Sequence, residues 1–133
     1  MSKENVELVR AMVGAFNRRD LAAMREMLDP EIEWTPGGPA AVEHDVYRGR
    51  DPVLDGFAAT WEAWEVFRLS EHEVRDFGES AVWLGRAQLR GGTSHVELDQ
   101  EFAVHFRIDA GVLVRIHGFA DWERALEHAG LQS

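Results

Sequence analysis

A histidine between two carboxylates is the first group in the chain that can do chemistry. In Glu43-His44-Asp45 the flanking negative charge raises the pKa of an imidazole, as a general base requires. Tyr47 follows at once and adds a hydroxyl that can donate or accept. Both fall in the loop-like stretch from Pro36 to Gly49, and loops often carry functional groups; the competing reading is an acidic loop facing water. Arg86 and Gln100 sit within apolar runs, where either can hydrogen-bond a carboxylate or carbonyl of a bound molecule. The bland reading of Arg86 is a long side chain whose head reaches water at a strand end. If the protein turns over a substrate, His44, Tyr47, Arg86 and Gln100 are the set to mutate.

Other chemistries find little support. The six histidines are His44, His72, His95, His105, His117 and His128, with no His-x-His and no helical His-x-x-x-His. With no cysteine beside them, no metal site, disulfide or thiol nucleophile is expected. His105 and His117 fall on adjacent strands with Glu101 and Arg115 near, on a side that faces away from the apolar residues. That pattern reads as a charged outer sheet face or a dimer surface. Ser94-His95 has no nucleophile elbow around it, and Gly-Gly-Thr-Ser lacks the lysine and helix of a phosphate loop. No cofactor is expected.

The elements that must position these groups follow from periodicity. Val6, Val9, Met12, Val13 and Phe16 form one helical stripe, with Ser2 as a plausible cap. Asp20 caps a second helix carrying Leu21, Met24 and Leu28, which Asp29-Pro30 stops. Ile32 and Trp34 alternate with polar residues as a short strand. Asp51-Pro52 then opens a third helix, whose stripe runs through Val53, Leu54, Phe57, Trp61, Trp64 and Phe67. Beyond Phe67 the period changes to two, with strands at about 68–77, 80–90, 95–108 and 112–120. Gly78-Glu79, Gly91-Gly92-Thr93-Ser94 and Asp109-Ala110-Gly111 are the turns between them. Asp121 caps a last helix, ended by Gly130.

The chain has 133 residues, 45% hydrophobic and 29% charged, which suits one globular domain over 1–133. Fourteen basic and twenty-four acidic residues give a net charge of −10, a field that disfavours nucleic acid and anionic membrane surfaces as partners. No apolar run has the length of a membrane span and the N-terminus lacks an apolar core, so a cytoplasmic location is expected. Helices first and an antiparallel meander after them make an α+β class with helices on one sheet face.

Several strings in that order resemble a known family: FNRRDLAAMREMLDPEIEW, then YRGRDPV opening the third helix, then DAGVLVRIHGFADWERALEHAGL. The chain resembles SnoaL-like proteins of the nuclear transport factor 2-like superfamily over nearly its whole length. The resemblance implies a cone-shaped, curved antiparallel sheet wrapped around three helices, a short C-terminal helix, an internal pocket and a homodimer. It also implies positions for chemistry. An isomerase base would fall on Thr35, before Pro36, and its oxyanion donors on Met12 and Val104. A cyclase acid–base residue would fall on Gly118, next to Arg115-Ile116-His117. None of these side chains can act as the required base or donor, so the resemblance brings no catalytic set and the catalytic residues stay unknown.

The leading expectation is an apolar pocket that binds a small hydrophobic molecule, lined by Trp34, Tyr47, Phe57, Trp61, Arg86, Gln100, Phe102, Val104 and Ile116. On 80–90 one side holds Val82, Leu84, Arg86 and Gln88 and the other Ala81, Trp83, Ala87 and Leu89; the resemblance favours the first side facing inward. A cyclase, isomerase or hydrolase with groups at other positions is the alternative. A further alternative is a dimeric interaction module whose pocket is filled by its own tryptophans. Trp83, Leu113 and Phe119 on an exposed sheet face would favour dimerisation.

Overall fold

The computed structural model describes residues 2–38, 46–93 and 95–132. Helix α1 (Ser2–Arg18) buries Val9, Met12, Val13 and Ala15 along the expected stripe. Asp20 then caps α2 (Leu21–Met27), its carboxylate accepting the Ala23 N–H at 3.1 Å. Here the chain departs from expectation. The helix ends at Met27, Leu28 both caps it and opens strand β1 (Leu28–Thr35), and Pro30 lies inside the strand. It is tolerated because the pairing of β1 shifts register between Leu28 and Glu33, so no ladder bond is asked of Pro30.

The stretch read as loop up to Gly49 contains a two-residue strand, β2 (Tyr47–Arg48), paired antiparallel to β1. Two residues are too short for periodicity to signal. Helix α3 (Arg50–Ala63) starts two residues early: Gly49, with a φ of 95° and no side-chain bond, takes the cap position expected for Asp51. Asp51 instead pairs with Arg25 at 2.6 Å. The helix ends before Trp64, not at Phe67, because the Glu65 N–H already bonds the Arg90 carbonyl of the sheet.

Strands β3 (Val66–Asp76), β4 (Ser80–Arg90), β5 (Glu97–Asp109) and β6 (Val112–Phe119) form the expected antiparallel meander. Ala110 and Gly111, with φ of 51° and 80°, make the two-residue turn between the last two. The sheet order is β2-β1-β6-β5-β4-β3, and β1 joins β6 in parallel, so the sheet is mixed and unclosed. Helix α4 (Trp122–Gln132) is capped by Asp121 and runs through Gly130 instead of stopping there.

The main core lies between α1–α3 and one sheet face; a smaller one lies under α4 on the other. Trp83, Ala81, Ala87 and Leu89 belong to the main core, and Val82 and Leu84 to the smaller. This reverses the expected facing of β4: Arg86 and Gln88 point away from α1–α3. The indole of Trp83 supplies far more apolar area to the large core than any side chain on the opposite side of β4. Trp83 and Leu113, both 0% exposed, are likewise not on an open sheet face, and Phe119 is half-buried. Among the described residues no helix is long and apolar enough to cross a membrane.

Candidate functional site

A cavity of about 50 Å³ lies between α1, α3 and the sheet. Met12, Val13 and Phe16 close it from α1, and Phe57 and Thr60 from α3. The sheet contributes Trp34, Phe102, Val104, Phe106 and Ile116, with Phe67 and Leu69 from β3. On β5 the wall residues recur at every second position, so the pleat turns them to one face. Phe16 ties the aromatic floor together, with ring centroids 6.0 Å from Phe57 and 5.4 Å from Phe67. Met12 and Met24 add unbranched side chains that repack at low cost.

Polar groups are scarce in this wall. The Thr60 hydroxyl donates to the Gly56 carbonyl at 3.0 Å, one turn back on its own helix. No titratable side chain lines the cavity among the described residues. The arrangement can exclude water and hold apolar surface, and it offers no proton donor or acceptor with a shifted pKa.

The wall holds Trp34, Phe57, Phe102, Val104 and Ile116 of the residues expected there. Tyr47 stacks on the outer side of Trp34 at 4.9 Å. Trp61 is buried behind Phe16, 5.3 Å away, and its indole N–H has no partner among the described residues. Gln100 is half-buried and shares the inner register with Ala87, outside the wall. Arg86 stands on the opposite face, donating to Asp99 at 2.8 Å, because Trp83 takes the inner side of the same strand. Glu43, His44 and Asp45 lie outside the described residues, as does Ser94.

The positions where the resemblance would place chemistry are filled by packing. Met12 and Val104 are wall residues, and Thr35 is half-buried beside Trp34 on the other sheet face. Gly118 meets the backbone after β1: a Cβ on Gly37 would stand 1.9 Å from the Gly118 carbonyl oxygen. Two glycines are therefore what lets these backbones touch at the cavity rim. Sequence reasoning missed Val13, Phe16, Thr60, Phe67, Leu69 and Phe106 as wall. The α1 stripe and the alternation over 95–108 signal the burial of Val13, Phe16 and Phe106, and the third-helix stripe that of Phe67, but not that a gap lies between them; Thr60 and Leu69 carry no such signal.

On the outer face His105 (β5) and His117 (β6) are register partners, and His128 of α4 closes over them. His105 Nδ1 and His128 Nδ1 share a hydrogen bond at 2.9 Å. Burial, the other two imidazoles, and Arg107 and Arg115 push His105 down to about 4. Burial, then His128 and Arg115, push His117 down to about 4, and burial and Arg115 lower His128. Among the described residues no group of three His, Asp or Glu is arranged to hold a metal ion.

The family model of the SnoaL-like domain matches residues 9–116. A nuclear transport factor 2-like protein of unknown function from Burkholderia pseudomallei is 23% identical, with 93% of this chain and 95% of that one covered and a TM-score of 0.78. TerC, co-crystallised with polyporic acid, is 17% identical, with 98% and 99% covered and a TM-score of 0.77. A putative polyketide cyclase from Sinorhizobium meliloti is 19% identical, with 89% and 98% covered and a TM-score of 0.70. At these identities the likeness is one of fold. No curated protein matches the chain in sequence.

Proposed function

The chain belongs to the SnoaL-like domain family, and from that premise we propose that it binds a small, largely apolar molecule between α1–α3 and the sheet. The observation that carries this is the wall itself: aromatic and aliphatic side chains around a gap, with Thr60 already bonded to its own helix. A gap of about 50 Å³ is well below the roughly 300–1,000 Å³ of a drug-sized site, so the ligand is compact or flat and Met12 and Met24 yield to admit it. TerC, co-crystallised with polyporic acid, is a neighbour of the same fold that has been seen with an organic ligand.

Turnover is the second reading, favoured by the name of the cyclase neighbour. Binding is preferred because the described wall holds no group that can move a proton. The test is tryptophan fluorescence during titration with naphthalene, with Val104→Trp as a filled-cavity variant. A saturable change in the wild type, weakened at least about tenfold in the variant, supports the reading. A folded wild-type protein with no saturable response overturns it.

A further inference from the structure

The geometry points to a second binding site, for a compact oxyanion such as a phosphate group, between Arg107 and Arg115 on the outer sheet face, with His117 and His128 at its rim.

Arg107 on β5 and Arg115 on β6 are register partners next to a shift in register, so both arginine side chains leave neighbouring strands on the outer face. Like charges placed this way repel. The chain has ample acid to separate them, with twenty-four Asp and Glu against fourteen Lys and Arg. It uses that acid elsewhere: Arg10, Arg18, Arg25, Arg48, Arg75, Arg86, Arg90 and Arg124 each pair with a carboxylate. Arg107 and Arg115 have no such pair among the described residues.

Among the described residues the neighbouring carboxylates are engaged elsewhere. Glu33 is the register partner of Arg115 on β1, but its carboxylate lies toward Arg48 at 3.7 Å. Ser80 stands beside Arg107 on β4. Glu101, beyond His105 on β5, accepts the Trp122 N–H at the start of α4. The next rung up from the arginines is His105 and His117, and α4 lays His128 over them, with ring centroids 4.5 Å apart for His117 and His128. His105 Nε2 is buried without a hydrogen-bond partner among the described residues. Two arginines and three imidazoles thus stand together with no carboxylate paired to the arginines among the described residues, in a protein of net charge −10.

Two parallel N–H forks match the oxygens of a phosphate group, and imidazole N–H groups at the rim complete such a shell. An anion there removes the repulsion between the guanidiniums and the positive field on the imidazoles together. The site lies across the sheet from the cavity, since Phe106 and Ile116, adjacent in sequence, face the opposite way. It stands whether or not the cavity binds anything.

The experiment is an imidazole NMR titration of the intact protein with inorganic phosphate at pH 7, ionic strength held constant with sodium chloride. The expected result is a saturable shift of the His117 and His128 resonances. Arg107→Gln combined with Arg115→Gln weakens it at least about tenfold, whereas Arg68→Gln, on β3, leaves it unchanged. Arg115→Lys, which keeps the charge but loses the fork, gives an intermediate affinity. Circular dichroism verifies that each variant is folded. A shift that never saturates, an equal response to chloride alone, or equal phosphate affinity in the folded double variant overturns the site.

Discussion

Asn17 satisfies both backbone polar groups of Leu69, donating from Nδ2 to its carbonyl oxygen and accepting its N–H at Oδ1, each at 2.9 Å. Leu69 lies on β3, the edge of the sheet, so the side chain acts there as one rung of a missing strand. It also fixes the end of α1 against the strand that carries two cavity residues.

Replacing Asn17 with alanine leaves a half-buried donor and acceptor unmatched. The expected loss is about 2 kcal/mol of stability, read as a lower urea midpoint with an unchanged slope. Asn17→Asp keeps the acceptor and loses the donor, and should fall between. A midpoint equal to wild type for Asn17→Ala would show that water replaces both bonds freely.

The rim contact makes a sharper prediction. A side chain on Gly37 or Gly118 must push two backbones apart, since a Cβ at 37 meets the Gly118 carbonyl at 1.9 Å and one at 118 meets the Gly37 nitrogen at 2.9 Å. Gly37→Ala should cost about 1–3 kcal/mol in thermal or urea unfolding. Gly118→Asp should also destabilise, so placing an acid at that position would disturb the rim rather than create a catalytic group.

Much of this architecture was legible in the sequence. The α1 stripe, the Asp20 and Asp121 caps and the meander turns are local signals, decided by residues within a few positions of each other. What was not legible was decided at a distance. Pro30 reads as a helix stop, but it is accommodated in β1 by a register shift set against β6. The facing of β4 turned on which core Trp83 would fill, and alternation alone cannot choose between two apolar sides. That choice puts Arg86 in the pocket, while Phe102 and Val104 are legible because the alternation on β5 has one apolar side only.

The histidine cluster predicts an acid-labile fold. In the unfolded chain these imidazoles titrate near 6.5, whereas in the fold His105 and His117 hold out to about 4 and His128 is lowered as well. The unfolded state therefore binds more protons as pH falls below about 6.5, and stability drops until pH nears 4. Urea midpoints between pH 6.5 and 4.5 should fall more steeply in wild type than in His105→Gln combined with His128→Gln. Parallel curves would mean the cluster titrates normally in the fold.

The cavity wall can be probed for polar recognition. Thr60→Val removes the one wall hydroxyl among the described residues, whose hydrogen bond is spent on Gly56. Naphthalene affinity should stay within about twofold of wild type, or rise slightly. A large loss would show that the hydroxyl serves the ligand.

Arg86→Ala tests the corrected facing of β4. Its pair with Asp99 is exposed, so its removal should leave the urea midpoint close to wild type and cavity binding unchanged. A selective loss of ligand affinity would return Arg86 to the pocket.

The parallel pairing of β1 with β6 also orders events in time. Trp34 and its partner Ile116 are separated by roughly eighty residues of chain, with the whole meander between them. Closing that loop is entropically slow and gains nothing until β5 and β6 are paired. Helices α1 and α2 and the β1–β2 pair can form early from local contacts, but the β1–β6 pairing must wait for the last strand. During synthesis from the N-terminus, the junction of Trp34 with Ile116 is the part of the cavity wall assembled last.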